Sequence, residues 1–205
     1  MVLTEAGRLP YWTNAVAHDM VGLNDARTAH HPATVELIRS LRPDIITYHH
    51  AGTLDLERLA AIRHRPAGKA MVPLSNSALL AAVPKRYRPY LHRSLADYAE
   101  LPSPTKAAAV TLTRFLGERP HYDVYAVRYG DGFKHIYGVR HAWHNRAPFV
   151  EALSRAHGLP YLPYIESKGL VGEQFLFKRL RCVFADLPGS GAAAAHSIAL
   201  RKCPE

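Results

Sequence analysis

Cysteine is nearly missing from this sequence. Cys182 and Cys203 are two among 205 residues, too few for a disulfide-stapled fold or a four-thiolate zinc site. Long apolar runs are missing as well. Arg, Lys or Pro interrupts every stretch approaching the roughly 20 residues that a bilayer-spanning helix requires, and the run from Ala107 to Leu116 stops short of it. No membrane span is expected, which leaves peripheral membrane contact open. The opening, Met1 to Trp12, contains Glu5 and has neither the apolar core of a signal peptide nor the acid-free amphipathic pattern of an import sequence. Three glycine-based motifs are absent: the Gly-x-Ser-x-Gly nucleophile elbow, the Gly-x-x-x-x-Gly-Lys phosphate loop and the Gly-x-Gly-x-x-Gly dinucleotide turn.

Acid is scarcer than base: 17 Asp and Glu face 26 Lys and Arg, a formal net charge of +9. The excess is uneven. Residues 1 to 102 hold 12 basic and 9 acidic side chains (+3), and 103 to 205 hold 14 and 8 (+6). Such a surplus draws phosphate backbones, anionic lipids and acidic protein surfaces alike. Of the 26 cations 19 are Arg, the residue suited to bidentate pairing with carboxylate or phosphate. The remainder is ordinary for a soluble globular protein, 48% hydrophobic and 21% charged, and the length suits one compact domain, or one domain with an appended arm.

Residues 1 to 31 lack a hydrophobic period, with Gly7, Pro10, Asn14, Gly22 and Asn24 breaking it, and read as an extended arm. A single α+β region is expected over 32–188, then a tail over 189–205. After Pro32, the spacing of Val35, Ile38 and Leu41 predicts a helix ending at Pro43, and Asp44 to Tyr48, with Ile45, Ile46 and Thr47, predicts a short strand ending at His49 and His50. Thr53 can cap a second helix running to Arg65. Residues 66 to 89 hold five prolines and glycines, Pro66, Gly68, Pro73, Pro84 and Pro89, and read as a joint with a short helix at Ser77 to Val83. A helix from Pro89 carrying Leu91, Leu95 and Tyr98, and another from Ser103-Pro104 to Leu116 with Gly117 as its stop, are expected to pack as a hairpin.

Tyr122 to Tyr129 and Phe133 to Trp143 are rich in aromatic and β-branched residues and flank Gly130-Asp131-Gly132, which predicts a β-hairpin. Period two puts Phe133, His135, Tyr137, Val139, His141 and Trp143 on one face of its second strand. A helix from Pro148, an extended Tyr-bearing strip over 159 to 164 and a strand or helix over 175 to 184 complete the reading. The expected fold is α+β: several short helices and a small antiparallel sheet built on the hairpin of residues 122 to 143.

Histidines are the natural metal candidates. Asp44-Ile45-Ile46-Thr47-Tyr48-His49-His50 resembles, over these seven residues, the strand-plus-His-His element of the NIF3-like metal-binding family. His49 and His50 are therefore the metal candidates, although neighbours on a strand point to opposite faces and the family's further ligands have no counterpart at its spacing. His18-Asp19 and His141 complete the list a metal-dependent hydrolase or nuclease would draw on. No cofactor is called for by any motif.

Two basic-aromatic clusters are better defined. Lys85, Arg86 and Arg88 stand with Tyr87 and Tyr90, and Lys178, Arg179 and Arg181 stand beside Phe175 and Phe177. Guanidinium groups with aromatic faces suit RNA, and suit acidic protein surfaces equally. The arm, these clusters and the want of a complete catalytic set favour a non-catalytic accessory subunit of a large mitochondrial assembly of respiratory-chain or ATP-synthase type, with neighbouring subunits as partners. An rRNA-contacting organellar ribosomal protein is the first alternative and the small metal-dependent hydrolase or nuclease the second.

Overall fold

A computed structural model describes residues 1–4, 15–49, 73–118, 121–129 and 134–157, and in it a five-stranded sheet carries helices on both faces. Its strands are β1 (Val2–Leu3), β2 (His18–Asp19), β3 (Ile45–His49), β4 (Tyr122–Arg128) and β5 (Lys134–Arg140). They lie in the order β2-β1-β3-β5-β4. The α+β class and the hairpin are as the sequence pattern predicts. The sheet, however, is mixed: β1 pairs in parallel with both β2 and β3, whereas β3–β5 and β5–β4 are antiparallel. Two-residue strands show no period, and their partners lie far along the chain, so nothing local announces them.

The first 31 residues also differ from an extended arm where they are described. They supply β1, β2 and the helix α1 (Ala26–His30), and Val2 and Met20 lie in the main core. Asp25 starts α1 by accepting the Arg27 N–H, and Thr34 starts α2 (Val35–Leu41) by accepting the Leu37 N–H at 2.9 Å. Val35 and Ile38 face inward, and α2 ends at Arg42, whose φ of 45° is left-handed.

The expected joint before Pro89 contributes to the core instead. Ser75 caps α3 (Asn76–Ala82), and Leu79 is fully buried. The helix expected from Pro89 is replaced by a 3₁₀ helix over Lys85–His92, with Pro89 inside it, and a separate turn α4 (Leu95–Tyr98). Ser94 and Asp97 form a capping box that begins a new helix at residue 95. The long helix α5 (Pro104–Glu118) runs through Gly117 without stopping. A Cβ there would lie 2.6 Å from Leu80 Cδ2, so this glycine lets α3 and α5 approach closely.

Period-two alternation divides the strands between two cores. Ile46, Tyr48, Val124 and Ile136 face α2, α3 and α5. Ile45, Tyr125, Tyr137 and Val139 face α6 (Arg146–Ala156), where Phe149 and Leu153 are fully buried. No helix among the described residues is long and apolar enough to cross a membrane. The helix expected over 53–65, the strip at 159–164, the element at 175–184 and the tail at 189–205 lie outside the described residues.

Candidate functional site

The parallel strands run in one direction, and β3 continues past the level at which β1 and β2 end. β1 stops at Leu3, β2 at Asp19 and β3 at His49, so all three carboxyl ends meet one edge of the sheet. β2 lies on one side of β1 and β3 on the other, the reversal of strand order at which parallel sheets open a crevice for ligands. Thr4 follows β1 at this edge. It is 3% exposed, and among the described residues its Oγ1 has no hydrogen-bond partner.

Asp19 organises the turn after β2. Its carboxylate accepts the Val21 N–H at 2.9 Å and the Asn24 N–H at 3.1 Å, and the Thr28 hydroxyl donates to its carbonyl. Gly22 sits in this turn with φ of 90°, and a Cβ would lie 2.5 Å from Thr28 O. A 240 Å³ cleft opens beside it, between Met20-Val21, His30-His31 and the first turn of α5 at Pro104. That helix end carries the positive pole of the helix dipole. An apolar groove of 470 Å³ along Arg27, His31, Leu37 and Leu95 shares His31 with the cleft.

At the end of β3, His49 is in register with His135 of β5. Their rings meet edge-on, with centroids 4.6 Å apart. Tyr137 OH lies 3.1 Å from His135 Nδ1 and 3.4 Å from Tyr129 OH. Burial, and secondly the neighbouring His49, lower the His135 pKa well below the ordinary imidazole value. Near neutral pH His135 is therefore uncharged, with one ring nitrogen able to donate and the other to accept a hydrogen bond. The sequence period put His135 and Tyr137 on one face. Their meeting with His49 depends on the β3–β5 register, and Thr4 carried no signal in the sequence.

The other histidine candidates are dispersed. His18 Nδ1 lies 3.3 Å from Asp25 Oδ2, and the Asp19 carboxylate is occupied by its turn. His141 follows the far end of β5 from His135 and bonds Asp123 at 2.9 Å, with Arg146 on the other carboxylate oxygen. Burial works to raise the Asp123 pKa, but the hydrogen bonds from Arg146 and His141 outweigh it and leave the carboxyl below its ordinary value. His50 lies outside the described residues. Among the described residues no three His, Cys, Asp or Glu side chains are grouped to hold a metal ion.

The first basic cluster is only partly available. Tyr87 is buried, and Arg88 donates to the carbonyls of Val83 at 3.0 Å and Ala81 at 2.8 Å, which ties it to the end of α3. Lys85 and Arg86 are exposed, and Tyr90 is half-buried. Lys178, Arg179 and Arg181 lie outside the described residues.

A family model described as a domain of unknown function, DUF8728, matches residues 1–125. That span carries Thr4, Asp19, His49 and the cleft; His135 and Tyr137 lie beyond it. No curated protein and no solved structure matches the chain.

Proposed function

We propose that this chain, which belongs to the DUF8728 family over residues 1–125, binds a negatively charged small molecule of nucleotide or sugar-phosphate type at the carboxyl edge of β1, β2 and β3. The observation that carries the reading is the Thr4 hydroxyl, buried at the end of the central parallel strand without a hydrogen-bond partner among the described residues. Leaving such a group unsatisfied costs about 1–3 kcal/mol, and a polar ligand at this edge offsets that cost. The first turn of α5 at the cleft and the net charge of +9 favour an anion. His49 and the uncharged His135, joined to two phenols, add imidazole and phenol groups that can hydrogen-bond a ligand at the same edge.

The described residues of 1–31 are strands and a helix of the fold, not an extended arm of the kind an accessory subunit would lay on its neighbours. Thermal unfolding against a panel of nucleoside phosphates and sugar phosphates tests the proposal. A ligand present at about 100 times its Kd adds about 2.7 kcal/mol, which at this chain length raises the midpoint by about 5–10 °C. A panel in which no member moves the midpoint refutes the reading.

A further inference from the structure

We infer that the 3₁₀ helix Lys85–His92 is a docking surface for an acidic segment of a partner protein, engaged through Lys85 and Arg86. Residues 84 to 94 hold four cations, Lys85, Arg86, Arg88 and Arg93, and no acid. Two of the four are committed within the fold. Arg88 satisfies carbonyls at the end of α3, and Arg93 lies 3.8 Å from Glu100 and over the Tyr90 ring. Lys85 and Arg86 are exposed and make no ion pair among the described residues. They are the charges left to meet a partner.

The aromatic residues decide which partner. Single-stranded RNA gains affinity and selectivity by stacking unpaired bases on open ring faces. Here Tyr87 is buried in the main core with the Arg86 guanidinium 4.9 Å from its ring centroid, and Arg93 takes the same place over Tyr90. The guanidinium groups occupy the positions a base would use. The same contact seats the Arg86 guanidinium against its ring, and a guanidinium so placed keeps N–H donors for a bidentate bond to a carboxylate. Lys85 adds a point charge beside it. This arrangement recognises side-chain carboxylates along a polypeptide and offers a nucleic acid only its phosphate attraction.

Fluorescence anisotropy with a labelled oligoglutamate and a labelled oligouridylate of the same length tests the inference on the full chain. Oligoglutamate is expected to bind more tightly than oligouridylate at physiological salt. Lys85→Glu/Arg86→Glu is expected to weaken oligoglutamate about tenfold or more, whereas Lys178→Glu/Arg179→Glu, an equal change in net charge, weakens it far less. Both pairs of variants are checked for an unchanged unfolding midpoint, and Lys85→Ser/Arg86→Gln replaces the first pair if reversal disturbs folding. Tighter binding of oligouridylate, equal losses from the two pairs, or no loss at Lys85 and Arg86 overturns the inference.

Discussion

The buried bond between β3 and α5 makes an asymmetric prediction. Tyr48 is 2% exposed, and its OH lies 2.9 Å from Thr113 Oγ1, which in turn lies 2.7 Å from Ala109 O. A carbonyl only accepts, so the Thr113 hydroxyl donates to Ala109 and the Tyr48 phenol donates to Thr113. Tyr48→Phe removes one bond and leaves the Thr113 hydroxyl its donation to Ala109, for a loss of about 0.5–1.5 kcal/mol. Thr113→Val removes the acceptor and strands the phenol in the core, for a loss of about 1–3 kcal/mol. The double variant has two apolar groups where the pair stood and is expected to be more stable than Thr113→Val alone. Urea unfolding of the four proteins measures the cycle. Additive losses, or a larger loss in Tyr48→Phe than in Thr113→Val, would refute the donor assignment and the packing of α5 on β3.

Gly138 makes a second test of the same interface. A Cβ there would lie 2.5 Å from Leu116 Cδ2, and Leu116 is fully buried, so Gly138→Ala is expected to lose about 1–3 kcal/mol by overpacking. Adding Leu116→Ala should relieve the clash, so that the pair of losses falls short of their sum; strict additivity contradicts the contact. Stability should also fall in acid in two windows. His135 is held below its ordinary value by burial and then by His49, so the unfolded chain binds its proton first. Folding therefore weakens as pH drops through about 6.5, and His157, lowered by burial and by Arg128, adds to this. Asp123, lowered on balance, contributes stability that is complete above about pH 3.9 and is lost below it. Urea midpoints that stay constant from neutral pH to pH 5, or a slope there that His135→Phe does not reduce, would contradict the burial of that imidazole.

The elements legible in the sequence were those whose signal is local. Val35, Ile38 and Leu41 mark α2 by their spacing, Ser103-Pro104 opens α5, and alternation from Tyr122 onward gives the hairpin together with the faces of Ile136 and Tyr137. β1 and β2 escaped because two residues carry no period, and because a parallel pair is specified by distant neighbours and by Asp19's turn rather than by its own composition. The candidate site was hidden for the same reason. His49 stood out in the sequence as half of a His-His pair, but its neighbour in space is His135, 86 positions later in the numbering and joined only through strand register. Tyr87 and Arg88 illustrate the converse. A compact basic-aromatic cluster in sequence is divided by the 3₁₀ helix, which buries the one and ties the other to α3.

Thr4→Val gives the most direct test of a ligand site at the carboxyl edge, because it exchanges a buried hydroxyl for a methyl group of similar shape. Unfolding without ligand and calorimetric titration with the tightest-binding member of the phosphate panel are measured on the same two proteins. The free variant is expected to be as stable as the parent or more stable, since the hydroxyl has no partner among the described residues to lose. Its affinity is expected to fall by about tenfold, the equivalent of one hydrogen bond. A variant that is destabilised on its own yet binds with undiminished affinity would place the Thr4 hydroxyl in the fold's own bonding and contradict the account.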